Sequence, residues 1–234
     1  MPKKRAEILD VAIALADERG LAAVSMRAVA ERVGVTPMAL YPYIGNKAAL
    51  LDGMLGRLLG RLLLPAGEEA AGEPRPAASG EGPWPDRLTA IARSGRAMVI
   101  AHPWAAGLVF ARPAVTPDSV RAVDLLYTAL LDAGVPAPEV PRLERMLSTV
   151  VIGFAASEAG GRFGSEEDPR SYRGLLPSGV LPGHARLTAA LDRRVDWDAE
   201  FEADLADLQV LITAIARRGA GPVPGPAGPG RQRG

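Results

Sequence analysis

The chain has 234 residues, 48% of them hydrophobic and 23% charged, with 27 basic and 27 acidic side chains and no cysteine. That is enough apolar material for a sizeable core in one large or two smaller units, and it excludes a disulfide scaffold or a thiolate metal site. Zero net charge hides an asymmetry: residues 1–64 carry nine Lys/Arg against six Asp/Glu (+3), and residues 65–234 carry eighteen against twenty-one (−3), so contact with a polyanion falls to the N-terminal part.

The first helix is expected over about 4–19, with Ile8, Ala12, Leu15 and Ala16 as its buried stripe, Ile13 beside it and Gly20 as its stop. Lys3-Lys4-Arg5 before it is either an arm for phosphates or a frayed, solvated terminus. Ser25 suits an N-cap, and Ala28, Val29 and Val33 recur at helical spacing until Gly34. Thr36-Pro37 restarts the chain: Thr36 can cap, and Pro37 suits the first helical position. A helix, a short turn with Gly and a second helix make a helix-turn-helix, whose second helix enters the major groove of DNA.

The reading helix is Met38-Ala39-Leu40-Tyr41-Pro42-Tyr43. Leu40 should face inward and lock it to its neighbours, leaving Met38, Ala39, Tyr41 and Tyr43 toward the groove. Tyrosine hydroxyls suit phosphate oxygens, and small apolar groups suit thymine methyls. Asn46 caps a fourth helix over 46–64, and Lys47 in its first turn is disfavoured by the helix dipole unless a phosphate answers it. Ser25, Arg27, Thr36, Pro37, Met38, Ala39, Tyr41, Tyr43 and Lys47 are the candidate DNA-contacting set. The band of Leu50, Leu51, Met54, Leu55, Leu58, Leu59, Leu62 and Leu63 is too wide for the small N-terminal bundle alone. This helix is therefore expected to serve two domains and to convey tilt between them.

Residues 65–85 are rich in Pro, Gly, Ala and Glu and read as a flexible insertion that Trp84 anchors. Asp86 then can cap a helix to about 101, broken at His102-Pro103-Trp104. Further helices are expected over 104–111, 117–133, 139–159, about 185–193 and about 197–217, with a Gly/Pro-rich loop over 161–183. The tail from Gly219 has ten Gly or Pro in sixteen residues and reads as disordered. No β-type alternation of useful length occurs, so the fold class is all-α. There is no Gly-rich phosphate loop, nucleophile motif or His/Asp/Glu cluster at metal spacing, so neither an enzyme nor a cofactor is expected. No leader-like segment or run of about 20 apolar residues appears, which points to the cytoplasm.

Ala14, Gly20, Arg27, Ala30, Gly34-Val35, Leu40-Tyr41, Tyr43, Asn46-Lys47 and Leu50-Leu51 resemble the N-terminal domain of the TetR/AcrR family of bacterial transcriptional regulators. The resemblance is dense over roughly residues 5–60 and loose beyond. It implies a DNA-binding domain over 1–47 and an effector-binding and dimerisation domain over 48–218. It implies a guanine edge as a partner for Arg27, and a homodimer joined through the helices near 139–159 and 197–217. Small residues there, including Ser148, Gly153, Ala156 and Ser157, permit close helix approach. It also implies a repressor released from a palindromic operator by a small apolar or amphipathic ligand. Candidate ligand contacts are Met98, His102, Trp104, Phe110, Tyr127, Phe154 and Glu158. Tetracycline repressors proper hold a drug-bound magnesium through a histidine before an Arg-Pro-like turn. Gly107-Leu108-Val109-Phe110-Ala111-Arg112-Pro113 has none, so the resemblance does not extend to that ligand. A DNA-binding dimer with no small-molecule effector stays open as the alternative.

Overall fold

The computed structural model describes residues 2–62, 82–163 and 180–219, which form ten α-helices and no strand. Most of the 65–85 insertion, most of the 161–183 loop and the tail from 220 lie outside the described residues. Among the described residues no helix is long and apolar enough to cross a membrane.

Helices α1 (Pro2–Arg19), α2 (Met26–Val33), α3 (Tyr41–Ile44) and the start of α4 (Lys47–Arg61) make the N-terminal bundle. On α1 the expected stripe is buried, with Leu9 added. The Ser25 hydroxyl accepts from the Ala28 N–H at 3.1 Å and starts α2. Gly34 ends it at φ +77°, where a side chain would be strained. The Gly34 N–H reaches the Glu31 carbonyl and the Val35 N–H reaches the Ala30 carbonyl at 3.0 Å, the paired bonds of a left-handed helix stop. The chain therefore leaves α2 in one fixed direction. It continues through a tight 3-10 turn, Pro37–Leu40, directly into α3. Thr36 stands before that turn without a side-chain capping bond, contrary to expectation; Pro37, with φ pre-set and no N–H to satisfy, starts it. Asn46 caps α4 by accepting from the Ala49 N–H at 2.9 Å.

The remaining helices are α5 (Trp84–Ala101), α6 (Ala105–Ala111), α7 (Pro117–Asp132), α8 (Val140–Ala159), α9 (Pro182–Leu191) and α10 (Trp197–Gly219). Helix α5 begins two residues before Asp86, because Pro85 suits a first helical turn; Asp86 lies inside that turn and is not its cap. Thr116 caps α7 in a reciprocal box with Ser119. One apolar cluster runs from the N-terminal bundle through Leu50, Met54, Leu58 and Leu62 of α4 to Met98, Val99, Ala105, Ala106, Ile152 and Ala155. Helix α4 is thus packed on both sides, as its wide leucine band requires. A second cluster joins Leu88, Leu130, Leu143, Leu147 and Ile212 of α5, α7, α8 and α10. Arg93 of α5 pairs with Glu202 of α10 at 2.7 Å, and Arg96 pairs with Glu158 at 2.7 Å and Asp198 at 2.6 Å.

Candidate DNA interface and ligand cavity

Leu40 and Ile44, four residues apart, are both buried and fix the rotation of the reading segment about its axis. Met38 (75% exposed), Ala39 and Tyr41 (46%) are thereby turned outward. Pro37 and Thr36 are exposed at the start of this segment, and Lys47 is exposed just beyond its end, in the first turn of α4. Ser25 is half-buried because its side chain serves α2; Arg27, in the first turn of α2, is exposed. Tyr43 is half-buried, and the Lys4 ammonium lies 5.4 Å from its ring centre, within cation–π range. The nine candidates therefore fall on the reading segment or at helix ends beside it. Lys4 near the start of α1 and Lys47 at the start of α4 add the charge that phosphates attract.

On the other side of α4 lies a cavity of about 550 Å³, within the range of small-molecule sites. Leu55, Leu59 and Leu62 of α4 form one wall, and Ile91 and Met98 of α5, Val109 and Phe110 of α6, and Leu126 and Tyr127 of α7 form others. Helix α8 adds Leu147 and Val151, and α10 adds Leu205, Leu208 and Ile212. Polar groups are few. Gln209 donates through Nε2 to the Thr89 hydroxyl at 2.9 Å and the Pro85 carbonyl at 3.1 Å, and Glu144 accepts from the Ser148 hydroxyl at 2.8 Å. Arg112, Glu144 and Arg145 are its charged lining residues.

Of the seven candidate ligand contacts, Met98, Phe110 and Tyr127 line the cavity. The other four do not, and each has another partner. His102 Nδ1 lies 2.8 Å from Asp17 Oδ1, and Trp104 Nε1 donates to the same oxygen at 2.7 Å. These two side chains clasp α1, in the DNA-binding bundle. Glu158 takes both nitrogens of Arg96, and Phe154 packs its ring against Phe163 and Phe201 at 5.0 and 5.1 Å. Both sit near the C-terminal end of α8, where ion pairs and rings join α8 to α10.

Sequence reasoning missed the α4 and α10 walls and the role of Arg112. The α4 leucines are visible as an apolar band serving two domains, but periodicity does not show that Leu55, Leu59 and Leu62 face a cavity. Arg112 Nε donates to Asp52 Oδ1 at 2.5 Å and its Nη2 donates to the Ala48 carbonyl at 3.1 Å. A cavity-lining side chain is thus tied to the first two turns of α4, next to Lys47. The hydrogen bond it donates to Asp52 raises the guanidinium above its already high ordinary pKa, against a smaller opposing effect of burial. Arg112 stays charged.

Residues 8–54 match the model of the bacterial regulatory proteins of the tetR family, and residues 75–213 match that of the tetracyclin repressor-like C-terminal domain. Over 206 residues the chain is 30% identical to an HTH-type transcriptional regulator of Saccharopolyspora erythraea, covering 87% of this chain and 77% of that one. Over 151 residues it is 32% identical to the HTH-type transcriptional repressor DrrR1 of Streptomyces coeruleorubidus, covering 64% of this chain. That match spans 52% of the relative, about half its length. The fold matches the Streptomyces coelicolor TetR family protein ActR in complex with actinorhodin, with a TM-score of 0.70 and 24% identity, covering 93% of this chain and 96% of that one. Matched in both its reading bundle and its helical C-terminal part, the chain belongs to the TetR family and is a helix-turn-helix transcriptional regulator, not an enzyme.

Proposed function

We propose that this chain is a homodimeric repressor that holds a palindromic operator and is released from it by a small, mostly apolar ligand, acting on DNA in the bacterial cytoplasm. The observation that carries the reading is that α4 is shared. Its first turn bears Lys47 beside the reading segment, and its last turns wall the cavity. A ligand that favours one tilt of α4 changes where the reading segment stands. Coupling of this type commonly amounts to about 5- to 150-fold in affinity. The ActR complex with actinorhodin supports a small-molecule effector in a relative of this fold.

Pairing is supported by the outer face of α8 and α10. Val150, Val210 (69% exposed) and Leu211 stand exposed there, with Thr149, Ala203 and Ala206 beside them. A Cβ added at Gly153 would meet nothing within 4 Å, so this part of α8 is open to close approach by another helix. A two-fold pair presents two reading segments to one face of a duplex, spaced by about one helical turn. Tyr41, Met38 and Ala39 would read or position, Arg27 would reach a base edge, and Lys47 would hold a phosphate.

The test is sedimentation of the full chain alone and with duplexes selected from a random pool. The reading predicts a dimer at micromolar concentration and recovery of an inverted repeat. A monomer that selects no inverted repeat overturns it. A dimer that binds the repeat but ignores every cavity-filling compound would favour a regulator without an effector.

A further inference from the structure

We infer that the ligand carries an acidic group, a carboxylate, sulfonate or phenolate, and that this group triggers release by taking Arg112 from Asp52. The inference rests on the cavity reading above and deepens it, by naming the chemistry of the ligand and the bond it breaks.

Three charged side chains line the cavity: Arg112, Arg145 and Glu144. Arg145 pairs with no carboxylate among the described residues, and Glu144 is engaged by the Ser148 hydroxyl. The lining therefore has a positive excess, set in apolar walls. A charged group entering such walls loses hydration and needs an opposite charge to compensate. An anion finds two guanidinium groups here, whereas a cation finds only the carboxylate of Glu144.

Arg112 is the more consequential of the two arginines. Its Nε and Nη2 hold Asp52 and the Ala48 carbonyl, and Nη1 donates to no atom among the described residues. A guanidinium offers five N–H donors in a planar fork, which a carboxylate or sulfonate matches with two oxygens. An anion on the Nη1 side would share one cation with Asp52 and repel it. The Arg112–Asp52 pair and the bond to Ala48 tie the end of α6 to the start of α4. Loosening them frees the turn that carries Lys47. A neutral ligand of the same shape fills the apolar walls and leaves this tie intact.

The experiment compares 8-anilinonaphthalene-1-sulfonate with N-phenyl-1-naphthylamine, which lacks only the sulfonate. Both brighten in apolar sites, so occupancy is read by fluorescence and mutual displacement. Operator affinity of the full chain is read in parallel by anisotropy on the selected inverted repeat. Both dyes should enter and displace each other. The sulfonate should weaken operator binding by about tenfold or more, and the neutral dye by less than about twofold. Arg112→Gln should retain the neutral dye and lose the response to the sulfonate. Asp52→Asn should bind the operator more weakly with no dye present. Equal effects of two dyes that share the cavity would overturn the acid trigger and leave the cavity reading standing. So would a sulfonate response that persists in Arg112→Gln. If neither dye enters, the cavity reading fails and this inference with it. The comparison on the unaltered chain needs no variant to fold.

Discussion

Gly56 lies in the middle of α4, where alanine would ordinarily gain about 1 kcal/mol in helix propensity. Here Gly56→Ala should destabilise the protein. A Cβ at this position would stand 2.1 Å from Thr116 Oγ1, 2.9 Å from Thr116 Cβ and 3.1 Å from Thr116 Cγ2. Thr116 cannot simply swing away. Its hydroxyl caps α7, accepting from the Ser119 N–H at 3.2 Å and bonding the Ser119 hydroxyl at 2.8 Å. Moving it costs the cap, about 1 kcal/mol, and forcing the helices apart costs about 1–3 kcal/mol. Against the propensity gain, a net loss of about 1–3 kcal/mol remains. Gly60→Ala is the control, one turn on. Its Cβ would meet Asp118 Cβ at 3.1 Å, Cγ at 3.2 Å and Oδ2 at 3.4 Å. The Asp118 carboxylate is about half exposed and can turn out, giving up a surface pair with Arg121 that is worth little, which leaves only the 3.1 Å approach to Asp118 Cβ to be relieved by a shift of a few tenths of an ångström. Gly60→Ala should therefore cost clearly less than Gly56→Ala. Thermal unfolding followed by circular dichroism, at one fixed protein concentration, should place Gly56→Ala about 2–10 °C below wild type. A Gly56→Ala protein that melts with or above Gly60→Ala would refute the claim that α4 and α7 are pressed together through this glycine.

Tyr41→Ala removes an exposed ring that packs no core, so operator affinity should fall by about tenfold or more with the melting temperature unchanged; retention of wild-type affinity in a gel shift would count against its contact with DNA. Lys47→Ala should weaken binding nearly equally across sequences and reduce the salt slope by about one, and an unchanged slope would argue against a phosphate partner. Glu202 is held below its ordinary value of 4.5, first by the hydrogen bond from Arg93. With the folded value depressed, the stability it contributes is complete above the unfolded value and is lost as pH falls through the folded one. The pair is half exposed, so the amount is below about 1 kcal/mol. Glu202→Gln should flatten the acid side of a stability–pH profile below about pH 4.5, and a profile parallel to wild type would show that the pair contributes nothing there.

The DNA-binding bundle was legible because its signals are local. Ser25, Gly34, Pro37 and Asn46 each act within a few residues, and Leu40 declares which way its turn must face. Thr36 and Asp86 were misread as side-chain caps for the same reason: a good capping residue near a proline is ambiguous by one or two positions. The cavity was harder. Periodicity marks Leu55, Leu59, Leu205 and Leu208 as apolar faces, but does not say whether two such faces touch or leave a gap. His102 and Trp104 looked like pocket residues by type. Their partner, Asp17, stands 85 and 87 positions away, and no spacing rule reaches so far. Arg112 and Asp52, 60 positions apart, were hidden in the same way.

The short helix α6 is fastened at both extremities, by His102 and Trp104 to Asp17 on α1 and by Arg112 to Asp52 on α4. It spans the two like a yoke between reins. On the release mechanism proposed above, slipping either rein loosens the hold on the reading head, so weakened operator binding should also arise at positions that meet neither duplex nor effector.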